Sequence, residues 1–164
     1  MTIAYPVATA WLSTGDHDGL HTGAPNYDEF ADEAEITRII AANPASALAV
    51  EMPHRAPDAA GTRFTPCLPA AAARLAWAKS RSLYRRHDDV AVLYRITGPD
   101  GPPGYGLWAM VDTAEISTRA GEPGLVIRNE DVFPEKVGER VALIGATGHL
   151  LSPVLLVQTA HGPA

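Results

Sequence analysis

The segment that most restricts this chain is Gly98-Pro99-Asp100-Gly101-Pro102-Pro103-Gly104. Its prolines lack backbone N–H donors and hold φ near one value, while its glycines take up conformations closed to other residues. Neither a helix nor a central strand can run through it, so it is a reversal. Asp89 to Ile96 alternates toward a strand before it, and Tyr105 to Val111 returns as a strand after it. An antiparallel hairpin is the expected result.

The remaining elements follow from periodicity and from start and stop signals. Asp28 reads as the N-cap of a helix through Glu29, Asp32 and Glu33, whose acids suit the positive end of the helix dipole. Phe30, Ala34, Thr37, Ile40 and Ala41 keep helical spacing, and Asn43-Pro44 ends the run. An alanine-rich helix is predicted from Pro69 to Arg86. A third is predicted from Pro134 to about Thr147, with Val137, Val141, Leu143 and Ile144 as apolar positions and Gly145-Ala146-Thr147-Gly148 as its C-cap. Ile3 to Leu12 reads as an edge strand, Ala47 to Met52 as a buried strand, Leu125 to Arg128 as a short strand, and Leu150 to Gln158 as a closing one. The expectation is an α+β single domain over residues 1–160. It has a mixed or antiparallel sheet with a central hairpin, about three helices packed on the sheet, and a loose tail at 161–164. A chain of 164 residues with 46% hydrophobic content is large enough for one such core without a disulfide or metal staple.

Composition narrows function. No run of about 18 apolar residues is present, so no membrane partner is expected. Met1 to Ala10 has neither a basic n-region nor a long apolar core, which predicts no signal peptide and a cytoplasmic location. The single cysteine, Cys67, leaves no internal disulfide and no thiolate-rich metal site. The net charge is −6 and is unevenly spread: residues 1–51 carry eight acids against Arg38 alone, and the rest carries eleven acids and twelve bases. Nucleic acid is a poor partner for such a chain, because its binding depends on neutralising phosphates. Arg74, Arg81 and Arg85 fall on one face of the predicted second helix, a solvated face or an anion contact.

Several residues are candidates for chemistry. Asp16-His17-Asp18 and His21 are the right donors for zinc or iron, but Gly15, Gly19 and Gly23 mark a loop, and no metal is assigned. His54, beside Glu51 at the end of a predicted strand, has the chemistry of a general base near neutral pH, but a lone histidine at a strand exit is more often structural or solvated. Cys67 precedes a helix and reads as a small buried hydrophobe. His87 and His149 have no neighbours in sequence that suggest a role. The richest constellation is Arg128-Asn129-Glu130-Asp131 followed by Pro134, Lys136, Glu139 and Arg140. Lys136 and Arg140 are i, i+4 on the predicted third helix and share a face. With the helix amides they form an anion site for phosphate or carboxylate, leaving Glu130 for proton transfer. The alternative from the same residues is an ion-pair network closing the loop.

With these motifs in hand, the chain resembles the N-terminal portion of the prokaryotic family catalogued as domain of unknown function 1015. Ala24-Pro25-Asn26-Tyr27-Asp28 resembles the family's Pro-Pro-Tyr-Asp, and Asn43-Pro44-Ala45-Ser46-Ala47-Leu48 its Asn-Pro-x-Ser-Phe-Leu. Val92-Leu93-Tyr94-Arg95 is similar to the strand before its hairpin. Arg128 to Val132, with Pro134, Lys136, Glu139 and Arg140, falls on its basic-His-Glu-x-Thr signature, and Ser152 to Leu156 on its closing segment. Two signature positions differ: the His is Asn129 and the Thr is Val132. The resemblance implies phosphoryl- or acyl-type chemistry on a small anionic metabolite or nucleotide, such as a nucleotide-dependent phosphotransferase acting on an amino or hydroxy acid. Glu130 is then the acid/base, and Asn129 orients the substrate. Arg128, Lys136 and Arg140 hold its anionic group, and Tyr27 and Asp28 line the opposite wall. The second class is a non-catalytic binding module that kept the fold and lost the chemistry. No cofactor is named by the residues. A second copy of the chain, pairing along Ile3 to Leu12, is the remaining expected partner.

Overall fold

The computed structural model describes residues 4–15, 22–23, 32–97, 101–117, 119, 122, 124–127, 132–151, 153–154 and 156. Its contacts gather into two compact units. One comprises Met1–Ala10, Arg86–Asp131 and Ser152–Ala164, and the other Trp11–Arg85 and Val132–Leu151. The chain is α+β, and among the described residues its strands pair in twos.

In the first unit the expected hairpin is present. β4 (Val92–Ile96) pairs antiparallel with β5 (Gly104–Trp108), with Leu93 opposite Leu107 and Arg95 opposite Tyr105. β1 (Ala4–Tyr5) pairs antiparallel with β6 (Met110–Val111), and β7 (Ile116–Ser117) pairs parallel with β8 (Val126–Ile127). The predicted edge strand is interrupted at Pro6, which cannot donate to a ladder, and resumes as β2 (Val7–Ser13), which pairs with β3 (Tyr84–Val90).

The second unit is helical. α1 (Glu33–Ala42) starts at Asp32, whose side chain accepts a 2.9 Å bond from the Ala34 amide, and it ends at Asn43 before Pro44. The cap is therefore Asp32, and the predicted cap Asp28 lies outside the described residues. Glu33 and Glu35 supply the first-turn acids, and Ile36 and Ile40, one turn apart, are buried.

Ala47 to Met52 is not a strand. It forms the single helical turn α2 (Leu48–Glu51), introduced by Ser46, whose hydroxyl accepts from the Leu48 amide and donates to the Gly23 carbonyl. A short apolar run carries no period that separates a buried strand from a buried helix, and here packing decides. Leu48 and Ala49 enter a cluster with Ile36, Ile40 and Ala56, while Val50 enters another with Phe64, Ala71, Leu75 and Leu143. A strand turns adjacent side chains to opposite faces, whereas the neighbours Leu48 and Ala49 enter the same cluster, which a helical turn allows.

α3 (Leu68–Ser80) buries Ala71, Leu75 and Ala78 and stops well before Arg86. Arg81 caps it, Ser82 takes a left-handed φ of 59°, and the Leu83 amide bonds back to Ala78. Tyr84 onward is strand, so Arg81 and Arg85 do not share a helical face with Arg74. Arg74 itself bonds Asp58 at 2.6 Å and the Ala49 carbonyl at 3.2 Å, a structural contact. α4 (Pro134–Thr147) has the predicted bounds, with Gly148 at φ 69° bonding Ile144 as a left-handed cap. Leu143 from α4 meets Ala71 and Leu75 from α3, so the helices make their core with one another. The closing strand is not formed at Leu150, Leu151, Pro153, Val154 or Leu156, and Pro153 removes a ladder donor there. The predicted tail lies outside the described residues. Among the described residues no helix is long and apolar enough to cross a membrane.

Candidate functional site

α2 delivers Glu51 into the helical unit, where its side chain is only 8% exposed. Ionised carboxylates are seldom buried without partners. Arg140, on the second turn of α4, faces it with Nη1 at 3.8 Å from Oε1, and the Arg140 side chain as a whole is 36% exposed. The buried carboxylate is thus paired with a cation whose side chain is partly exposed. Tyr84, the first residue of β3, stands close enough to Glu51 to feel its charge. Burial raises the Tyr84 phenol above its ordinary range, the Glu51 charge adds to this, and a hydrogen bond with buried Thr22 opposes it. The phenol is thereby held in its neutral form.

His54 follows one turn later, in the 3₁₀ segment Pro53–Arg55. Its ring meets Phe64 edge-on, with centroids 5.4 Å apart and planes at 72°. Burial lowers its pKa below 6.5, Arg55 and Lys136 lower it further, and Glu139 and Glu33 oppose them. Its Nδ1 is buried and has no hydrogen-bond partner among the described residues. A neutral imidazole is the form required of a general base. His54 and Arg55 also line an open cleft of about 350 Å³, with Asp32, Glu33, Thr37 and Gly61 among its walls. Arg55 is tied there to Glu33.

Of the residues predicted for the site, Lys136 and Arg140 are described and stand on successive turns of α4. They engage different carboxylates: Lys136 pairs with Glu139 at 3.2 Å on the exposed surface, and Arg140 turns inward to Glu51. Tyr27, Asp28, Arg128, Asn129 and Glu130 lie outside the described residues, as does the Asp16-His17-Asp18-His21 segment. Cys67 is buried, and its thiol donates to the Arg63 carbonyl at 3.3 Å, in keeping with a packing role. Sequence reasoning noted Glu51 only as a neighbour of His54 and did not single out Tyr84 or Thr22. A carboxylate closing an apolar run was the one available signal.

A family model described as protein of unknown function (DUF1015) matches residues 21–163. The chain belongs to this family. Glu51, His54, Tyr84, Lys136 and Arg140 all lie within the span that defines its DUF1015 membership. No curated protein and no solved structure matches the chain.

Proposed function

We propose that this DUF1015 protein is an enzyme acting on a small anionic metabolite or nucleotide, which docks on the face of α4 that carries Arg140. The observation that supports this reading is the Glu51–Arg140 pair. A carboxylate almost wholly buried pairs with an arginine whose side chain is partly exposed, so the cation is oriented before a ligand arrives and loses little freedom on binding. Arginine in that setting offers a planar fork suited to phosphate or carboxylate. Lys136, one turn nearer the helix N-terminus, adds a second positive charge. On this reading Glu130, four positions ahead of Pro134, is assigned as the acid/base, with Asn129 and Arg128 beside it in sequence, and Tyr27 and Asp28 as further ligand contacts. Neutral His54 is a second proton acceptor near Lys136. Phosphoryl or acyl transfer fits such a set, because both reactions develop negative charge that paired cations stabilise. The reading carries a cytoplasmic address, and a second copy as the one macromolecular partner.

Asn129 and Val132 favour a second reading, in which the family's signature histidine and hydroxyl are replaced and the same cations serve a binding module without turnover. A thermal-shift panel of nucleotides, phosphorylated metabolites and amino acids identifies stabilising ligands by mass action. Mass spectrometry on each hit then separates turnover from binding. Arg140→Ala is expected to abolish the stabilisation, and unchanged affinity in that variant overturns both readings. Glu130→Gln is expected to bind without turnover; turnover at the wild-type rate removes Glu130 from its role.

A further inference from the structure

Thirteen basic residues are present in this chain, yet just two are lysines, Lys79 and Lys136, and they differ sharply in surroundings. Lys136 is 74% exposed and pairs with Glu139. Lys79, in the last turn of α3, is partly buried, and among the described residues no carboxylate pairs with it. Its Nζ lies 4.2 Å from the centroid of the Trp11 ring and 2.6 Å from Nε2 of His149. His149 follows the cap of α4, and its Nδ1 lies 2.7 Å from the Thr147 carbonyl oxygen. A carbonyl can only accept, so Nδ1 carries the hydrogen and Nε2 is left with the free lone pair. That lone pair points at the lysine. Three elements distant in sequence, β2, α3 and the end of α4, thus enclose one amine with a proton acceptor set against it.

An ordinary surface lysine is fully protonated and inert as a nucleophile. Two conditions change that: loss of solvation, which disfavours the ammonium, and an adjacent base. Both are met at Lys79, where burial moves the pKa below its usual 10.5. The indole face attracts the ammonium and works in the opposite direction, and it also floors the site with an apolar surface.

We propose that Lys79 is a nucleophilic amine that forms a Schiff base with a small aldehyde or 2-oxo acid, with His149 as its proton shuttle. The ammonium gives one proton to His149 Nε2, and the freed lone pair on Nζ attacks the carbonyl carbon. The C–N bond forms as the carbonyl π electrons move to oxygen, and a proton passes from nitrogen to that oxygen to give the carbinolamine. Imidazolium then returns its proton to the hydroxyl, which leaves as water while the nitrogen lone pair closes the C=N bond. Ammonium and carbonyl have become protonated imine and water, with charge conserved and no oxidant or reductant consumed. The site is distinct from the Glu51–Arg140 region and does not depend on the function proposed for it.

The two lysines provide an internal comparison. The intact protein is incubated with glyoxylate and cyanoborohydride, which reduces an imine to a stable secondary amine, and peptide mass mapping follows labelling at each lysine over time. Lys79 is expected to label roughly tenfold faster than Lys136 or more, because it alone has a proton acceptor set against its amine. Equal rates, or faster labelling at Lys136, overturn the proposal without any variant being needed. His149→Gln keeps an acceptor for the ammonium but cannot take up its proton. That variant, with an unchanged melting temperature, is expected to slow Lys79 roughly tenfold or more while Lys136 is unaffected. An undiminished Lys79 rate there removes the shuttle.

Discussion

The helical unit and the β4–β5 hairpin draw on similar apolar side chains and place them in opposite surroundings. In the first, Leu48 and Ala71 are completely buried and Leu143 is 2% exposed; in the second, Leu93, Tyr105 and Leu107 are 72%, 66% and 60% exposed. Both segments have good local structure. What differs is the supply of facing elements: α1, α2, α3 and α4 present apolar stripes to one another, whereas a two-stranded ladder has two faces and covers neither. Burial is thus a property of how many elements converge, and it governs where a charge such as Glu51 is held in place and where a side chain is free to move.

The comparison breaks most easily at its buried end. Leu48→Ala removes a side chain that fills the junction between α1 and α2, and it is expected to cost about 3 kcal/mol by urea denaturation. Leu93→Ala, chemically the same change, is expected within about 0.5 kcal/mol of wild type. Similar losses at the two sites would mean that the hairpin face is covered in solution.

Glu51 tests whether the helical unit needs a deeply placed carboxylate. Glu51→Ala leaves the Arg140 guanidinium without that partner and is expected to cost about 2 kcal/mol, less than for a fully buried pair because the cation is partly solvated. Glu51→Gln, which keeps an acceptor, is expected to recover part of the loss. A neutral effect of both, measured by thermal and urea unfolding, would show that the pair neither stabilises the unit nor orients Arg140.

These two regions also differ in how much of them the sequence discloses. Gly98 to Gly104 and the Pro134 to Gly148 helix announce themselves through residues that act on their own backbone: proline at a helix start, glycine at a left-handed cap. The same is true of Lys136 and Arg140, four residues apart on one helix. Ala47 to Met52 and the end of α3 are different. The first was decided by two clusters assembled from distant segments, and the second by a left-handed serine, a residue that gives no such warning. The candidate site was half legible for the same reason. Arg140 was visible as a cation, but its partner Glu51 comes from another helix, and the contact between Lys79 and His149 spans 70 positions. Long-range pairing leaves no local pattern to read.

Acid provides a finer comparison, because His54 belongs to the helical unit and titrates in an accessible range. Its folded pKa lies below the unfolded value of 6.5. Between those two values the unfolded chain binds more proton, so stability rises with pH across that window and is lost as pH falls through it. The loss has an upper limit of about 1.4 kcal/mol for each unit of pKa separation. His54→Gln has no such titration. The difference between wild type and variant in urea midpoint is expected to change between about pH 7 and pH 5. A constant difference across that range would show that His54 is as solvated in the folded protein as in the unfolded one.

The smallest effect is expected in the hairpin, where crowding rather than truncation is the informative change. Gly106 sits opposite Tyr94, and a Cβ at Gly106 would come within 2.1 Å of the Tyr94 ring carbon Cζ, so the ring lies directly over the glycine. In a close-packed core such an overlap forces neighbours out of their rotamers at about 1–3 kcal/mol. Here the overlapping atoms are the far end of a side chain that is 37% exposed, which can swing into solvent. Gly106→Ala therefore exchanges one cross-strand contact, worth about 0.2–1 kcal/mol, against the entropy that alanine saves relative to glycine. The net change is expected within about 0.5 kcal/mol, with the Tyr94 ring signals in an NMR spectrum moving toward solvent-exposed positions. A loss of about 2 kcal/mol or more would mean that Tyr94 has no room to leave, which requires the face that carries it to be packed as tightly as the helical core.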